Sequence, residues 1–158
     1  MPKHASILLG GAPEGFDAKL VARELSRGEP VMHVARDDKR MEAMRAALRF
    51  FAPEAVVLTL PAWDCLPYDR ISPNPDLSAA RMATLALLAH GVSGPFILLT
   101  TVNAATQRLP ARAVLREAVD LLLSGTQHDF PVMDEQGRVI GILERRRLVE
   151  ALAIHGPG

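Results

Sequence analysis

Residues 7–34 read ILLGGAPEGFDAKLVARELSRGEPVMHV, and this stretch decides the fold class. The apolar run Ile7, Leu8 and Leu9 predicts a short strand that ends at a glycine turn, and residues 31–34 predict a second strand. Between them an amphipathic helix ends at Gly28, and its apolar stripe follows the i, i+3, i+4, i+7 spacing through Ala18, Val21, Ala22 and Leu25. A helix between two apolar strands indicates a βαβ unit of a parallel sheet.

The same alternation continues to residue 101. Asp37 and Asp38 predict the start of a second helix, which ends before Pro53. Its apolar stripe consists of Met41, Met44, Leu48 and Phe51. Residues 55–60 predict a third strand, residues 76–90 a helix and residues 96–101 a fourth strand. We therefore expect an α/β fold with a parallel sheet of about four strands over residues 5–101.

The C-terminal third follows a different order. A helical stripe (Leu115, Ala118, Val119 and Leu122) precedes a strand at 130–133, a turn at 134–137 and a strand at 139–143. Leu148, Val149 and Leu152 predict a last helix. Two strands joined by a tight turn form a hairpin and not another βαβ crossover. We place the domain boundary at residue 112, which gives domains 1–112 and 113–158.

Composition excludes several classes of function. The 158 residues carry 18 basic and 18 acidic side chains, so a strong nucleic-acid binder is not expected. Cys65 is the single cysteine, which excludes an intramolecular disulfide and a cysteine-based zinc site, and the five scattered histidines do not predict a metal site. The apolar runs are shorter than a membrane span, so we expect a cytoplasmic protein without membrane association.

Residues 10–15, GGAPEG, have the G-x-x-x-x-G spacing of a phosphate-binding loop between a strand and a helix. In a functional loop Gly15 is followed by a lysine that reaches the phosphates and a Ser or Thr that binds Mg²⁺. Phe16 and Asp17 occupy these positions. Phe16 carries no charge and Asp17 is negative, so Gly10, Gly15, Phe16 and Asp17 predict a degenerate loop in which Asp17 compensates the helix dipole.

Four segments of the first 118 residues resemble a known family. They are GAPEGFDAKLVAREL, VMHVARDDKRMEAMRAALRFFAPE, LPAWDCLPYDRISPNPDLSAARMATL and LLTTVNAATQRLPAR, and they resemble the N-terminal region of bacterial transcription-repair coupling factors. The resemblance implies a RecA-like domain, similar to the first domain of the excinuclease B protein, with a degenerate phosphate loop. The family's DNA translocase and polymerase-binding domains lie outside the matching region, and its surface for the excinuclease A protein follows that region. We therefore expect the excinuclease contact surface to be absent.

The tail resembles a second family. LREAVDLLLSGTQHDFPVMDEQGRVIGILERRRLVEAL resembles a CBS motif, a βαββα unit that pairs to hold adenine nucleotides, of the kind attached to site-2-type metalloproteases. The marker residues are His128, Asp129 and Pro131. In nucleotide-binding motifs a Thr or Ser ends the last strand and an Asp follows three residues later, but Glu144 and Arg147 stand here. The two resemblances overlap at residues 109–118, so the chain looks like a fusion or chimera.

The resemblances and the missing catalytic groups imply a non-catalytic interaction module of a DNA-repair factor fused to a CBS-like motif. The alternative is a CBS-type regulatory module that binds AMP or ATP, and a homodimer through that motif is the expected self-association. We interpret the arginine run 145–147 as a solvated helix face rather than a phosphate site. Trp63 and Tyr68 are expected to pin a loop onto the core, and neither Asp69 nor Cys65 shows a sign of catalysis.

The size and the apolar residues of the tail predict how it packs. A segment of about 45 residues is too small for an independent core, so we expect it to dock on the α/β core or on a second copy.

Overall fold

The computed structural model describes residues 6–65, 74–133, 136–146 and Val149. Five helices and five strands lie wholly within these ranges. The helices are α1 (Phe16–Leu25), α2 (Asp38–Phe51), α3 (Pro75–His90), α4 (Val102–Ala105) and α5 (Arg112–Ser124). The strands are β1 (Val31–Ala35), β2 (Val56–Leu60), β3 (Phe96–Thr101), β4 (Asp129–Met133) and β5 (Val139–Glu144).

The first three strands form a parallel sheet in the order β1-β3-β2. Val31 of β1 lies opposite Ile97 of β3, and Val56 of β2 lies opposite Phe96 of β3. The central strand is thus β3, which is the last of the three in the sequence. The prediction of a parallel α/β sheet is confirmed. The connection from β1 to β2 runs in one direction along the sheet, and the connection from β2 to β3 runs back. Because such crossovers are right-handed, the helices in the two connections lie on opposite faces of the sheet.

The prediction of a strand at residues 7–9 is wrong. Residues 6–10 have no regular structure, and the exposed fractions of Ile7, Leu8 and Leu9 are 79%, 97% and 58%. A run of three residues forms few ladder hydrogen bonds, and the two glycines that follow it favour irregular backbone. The described parallel sheet therefore has three strands instead of about four.

Local capping explains where the first two helices begin. The Asp37 side chain accepts a hydrogen bond from the Arg40 backbone N–H at 2.9 Å, which satisfies a free donor at the start of α2. Gly15 precedes α1 with a φ of 82°, a left-handed conformation that glycine adopts without a steric cost. Helix α2 therefore begins where its two aspartates predict.

Helices α1 and α2 cover one face of the sheet. The buried residues of this first cluster come from α1, β1, α2 and β3; they are Ala18, Leu25, Ala35, Met41, Met44, Leu48, Ile97 and Leu99. The stripe predicted for α2 is confirmed except at Phe51, which is 40% exposed. Phe51 is the last residue of the helix and stacks edge-to-face on exposed Phe50, with ring centroids 5.1 Å apart.

The tail packs against α3. In the second cluster, Leu115 of α5 is buried with Leu60, Leu85 and Ala89. One turn later Val119 packs on the small residues of α3, and Arg112 Nε donates to the Ala89 carbonyl at 3.0 Å. The expectation that the tail docks on the α/β region is met. The division into domains at residue 112 stays a prediction.

Strands β4 and β5 form the predicted antiparallel hairpin, in which Phe130 lies opposite Leu143. The register shifts between Val132 and Met133, which marks a bulge. A complete βαββα unit would begin with a strand before α5. Residues 106–111 hold no strand, so the described tail has the order helix, strand, strand. Most of the predicted last helix, including Leu148 and Leu152, lies outside the described residues.

Candidate functional site

All three parallel strands end at one edge of the sheet, which is where ligands bind in open α/β sheets. Arg36 follows β1, Pro61 follows β2, and α4 follows β3 at this edge. The loop at residues 10–15 leads into α1 beside it. The carboxyl edge is therefore the first candidate site, and the hairpin, which carries the CBS-like residues, is the second.

The degenerate loop provides its own negative charge at the start of α1. Asp17 Oδ1 accepts the Ala18 backbone N–H at 2.9 Å, so the carboxylate satisfies a free donor of the helix. Glu14 Oε1 lies 3.4 Å from Arg40 Nη1, and Asp17 Oδ2 lies 4.0 Å from Arg40 Nη2. The Asp17 carboxylate thus takes a helix donor that a phosphate would use, and both carboxylates contact Arg40. Gly10 is exposed and lies outside any helix or strand.

A cleft of about 440 Å³ lies between α1, β1 and α2. Its lining includes Asp17, His33, Arg36 and Arg40. Burial lowers the pKa of His33, nearby Arg40 lowers it further and Asp17 opposes the shift. Arg36 Nε donates to Asp37 Oδ2 at 2.9 Å. Both arginines of the cleft therefore already contact carboxylates, and burial favours the neutral form of His33.

The loop after β2 is anchored at the same edge. The Trp63 backbone N–H donates to Gln107 Oε1 at 3.2 Å, and the Arg81 guanidinium carbon lies 4.5 Å from the centroid of the Trp63 ring. Trp63 is half-buried, as expected for a residue that anchors a loop. Cys65 is also half-buried and has an interaction partner. Tyr68 and Asp69 lie outside the described residues.

The sequence patterns did not single out Arg81 or Gln107. Arg81 is the only charged residue between Asp76 and His90, in a helix that is otherwise rich in Ala and Leu. An exposed helix face normally carries several polar residues, and a helix with so few of them is expected to be buried. Its one arginine is then expected to be buried as well. Gln107 carries no comparable signal.

The hairpin brings the CBS-like marker residues to one end. Asp129 lies opposite Glu144 in the register, so two acidic residues occupy one cross-strand position. His128 and Asp129 are exposed, and Pro131 lies opposite Ile142. Acidic side chains at this position disfavour a bound phosphate, as the sequence predicts for Glu144.

The interpretation of residues 145–147 as a solvated face is wrong for Arg145. Its backbone N–H donates to the His128 carbonyl at 2.8 Å, and its Nη1 donates to the Gly125 carbonyl at 2.7 Å. Arg145 is half-buried because it links the end of β5 to the loop after α5. Arg146 is exposed, and Arg147 lies outside the described residues.

The described residues contain neither a metal-binding cluster nor a membrane-spanning helix. No group of three or more His, Cys, Asp or Glu side chains is arranged to hold a metal ion in this part of the chain. Within the same ranges, each helix is too short or too polar to cross a membrane.

Comparison with known proteins identifies two relationships. Residues 109–154 match the sequence model of the CBS domain. The chain is also similar to transcription-repair-coupling factors of three bacteria: 38% identical over 71 residues in Mycobacterium tuberculosis, 32% over 108 in Myxococcus xanthus and 26% over 149 in Haemophilus influenzae. These alignments cover 45%, 63% and 94% of this chain.

The chain spans only 6% to 12% of the length of these relatives. The Haemophilus alignment, which covers 94% of the chain, continues into the segment that the CBS model matches. Both resemblances found in the sequence, to transcription-repair coupling factors and to the CBS domain, are therefore confirmed. The site-2 protease association and the fusion origin stay predictions.

Proposed function

We propose that this chain is a non-catalytic interaction module related to part of a transcription-repair coupling factor, and that its RecA-like domain has a degenerate phosphate loop. The observation that carries the proposal is the start of α1, where the Asp17 carboxylate accepts the Ala18 N–H. Glu14 and Asp17 then both contact Arg40. A triphosphate would meet two carboxylates here and no loop lysine.

The rest of the carboxyl edge supports the same proposal. Catalysis by phosphoryl transfer needs cations that hold and neutralise the phosphates. Arg36 and Arg40 both contact carboxylates, and burial favours the neutral form of His33. An interaction module needs no free cation at this edge, because it binds no phosphate there.

Calorimetric titration with AMP, ATP and Mg-ATP tests the proposal. We expect no binding heat from any of the three and no phosphate release from Mg-ATP. Turnover of Mg-ATP would overturn the non-catalytic assignment. Tight binding of AMP without turnover would instead favour the alternative function.

The alternative is a CBS-type regulatory module that binds an adenine nucleotide. The match of residues 109–154 to the CBS domain favours it. The acidic pair of Asp129 and Glu144 counts against it, because these side chains would repel the nucleotide phosphates. Replacing Glu144 by Gln removes one of the two charges. The alternative function predicts that this substitution tightens AMP binding, whereas Glu117→Gln on α5 leaves it unchanged.

We further propose that copies of this chain pair through the hairpin face that α3 leaves uncovered. Met133, Val139 and Ile142 are 58%, 57% and 57% exposed. CBS motifs resemble halves of a pair, and exposed apolar strands favour association. Light scattering should give a mass that rises with concentration, and Ile142→Lys should lower it to the monomer mass. A constant monomer mass for the original chain would contradict the pairing.

The fusion origin is a separate proposal. It predicts that natural relatives of residues 1–108 continue after residue 118 into sequence without a CBS-like hairpin. Sequencing the corresponding genes of related bacteria tests this. Relatives that carry a CBS-like hairpin after residue 118 would contradict a fusion.

A further inference from the structure

Arg81 is a buried cation with unused donors. It is 1% exposed and sits in the second turn of α3, facing the loop after β2. Its Nη1 donates to the Pro61 carbonyl. Its Nε and Nη2 are buried, and among the described residues neither has a hydrogen-bond acceptor.

The two unused nitrogens form one recognition edge. Nε and Nη2 lie on the same side of the planar guanidinium, so their N–H bonds point in parallel. This fork matches the two oxygens of a carboxylate or of a phosphate group. Burial lowers the pKa of Arg81, but an arginine keeps its proton in proteins. A buried charge with two unsatisfied donors is costly, which indicates that an acceptor belongs there.

The surroundings hold the fork in place. The guanidinium stacks on the Trp63 ring, and the Pro61 carbonyl fixes its other end. Trp63 is itself held through its backbone by Gln107. Such fixed donors recognise an anion at a small entropic cost, because little side-chain freedom remains to be lost.

The neighbouring carboxylate does not satisfy the fork. Both Asp64 oxygens lie within 3.3 Å of the Asn74 backbone N–H, which holds the ends of the loop together. The fork also lies at the carboxyl end of β2, an edge at which α/β sheets bind ligands.

We propose that Nε and Nη2 of Arg81 form a bidentate site for one oxyanion, a carboxylate or a phosphate group, at the carboxyl end of β2. This site is separate from the degenerate loop and does not depend on the proposed function. The two nitrogens are shielded, so binding must displace the atoms that cover them and should be slower than diffusion.

The single tryptophan of the chain reports on this site, because the Arg81 guanidinium lies against its ring. Inorganic phosphate and acetate are titrated separately into the full chain, with chloride at matched ionic strength as the blank. We expect a saturable change in Trp63 fluorescence with at least one of the two anions. Response to phosphate alone assigns a phosphate ligand, and response to acetate alone assigns a carboxylate.

Arg81→Lys tests the fork, because lysine keeps the charge but lacks the two parallel donors. We expect at least a tenfold weaker response, while the matched change Arg27→Lys, at a 61% exposed side chain, leaves the titration unchanged. The NMR signal of the Arg81 Nε–H in the original chain gives a readout that is independent of any folding defect. It should shift with the same half-saturation as the fluorescence.

Three results would overturn the proposal. One is a fluorescence signal that responds to neither anion beyond the chloride blank. Another is an unchanged titration in folded Arg81→Lys. The third is a fluorescence change without a shift of the Arg81 Nε–H signal.

Discussion

The region around β3 and the region around β5 reach stability in different ways. The parallel sheet has helices on both faces, and its central strand buries Ile97 and Leu99 completely. The hairpin has α3 on one side, and Ile142 of β5 remains 57% exposed. A two-stranded hairpin is marginal by itself, so it depends on the region that it packs against. The parallel strands have a core of their own, whereas the hairpin is stabilised by packing against α3.

The largest effect is expected at the centre of the sheet. Leu99→Ala leaves a cavity at a fully buried position and should lower the free energy of unfolding by about 2–5 kcal/mol. Leu8→Ala is the matched control at a 97% exposed position and should change it by less than about 0.5 kcal/mol. Urea denaturation measures both. Equal losses would mean that residues 7–9 are part of the core.

A smaller loss is expected where the two regions meet. Leu115 is 6% exposed between α5 and α3, and Leu115→Ala should lower the free energy of unfolding by about 2 kcal/mol. Leu121 lies on the same helix but is 61% exposed, so Leu121→Ala should be nearly neutral. A neutral Leu115→Ala in the same urea experiment would show that α5 adds nothing to the stability of the sheet.

The smallest effect concerns pH and belongs to the sheet region alone. Burial holds the pKa of His33 below its ordinary value of 6.5, with Arg40 adding to the shift and Asp17 opposing it. The unfolded chain therefore binds this proton first, and stability falls as the pH drops through 6.5 toward the folded-state pKa. His33→Gln should flatten the profile below pH 7. Parallel profiles for the original chain and His33→Gln would contradict this assignment.

Helices and parallel strands were predictable where the sequence carries local signals. Asp37 and the stripe of Met41, Met44 and Leu48 place α2 almost to the residue, because a cap and a 3.6-residue period act together. The run at residues 7–9 has apolar character but no cap, partner or length to support it. Pattern alone does not say whether a neighbouring strand is available to pair with it.

The candidate sites were predictable only in part. The loss of the phosphate-loop lysine is visible in the sequence, and so is the acidic residue at position 144. The role of Arg40 depends on how α2 approaches α1, and the burial of Arg81 depends on how Pro61 and Trp63 approach α3. Arg145 was expected in solvent, but at the start of the helical residues after β5 its side chain reaches the Gly125 carbonyl. Such tertiary contacts join residues 20 or more positions apart, which local patterns do not encode.

Hydrogen–deuterium exchange tests most directly whether the tail is docked on the sheet region. If α5 packs on α3 as Leu115, Val119 and the Arg112–Ala89 hydrogen bond indicate, the backbone amides of α5 should be protected to nearly the same extent as those of α3. Leu115→Ala should lower the protection of α5 while that of β3 changes less. Rapid exchange throughout α5 in the original chain, with α3 still protected, would contradict the account.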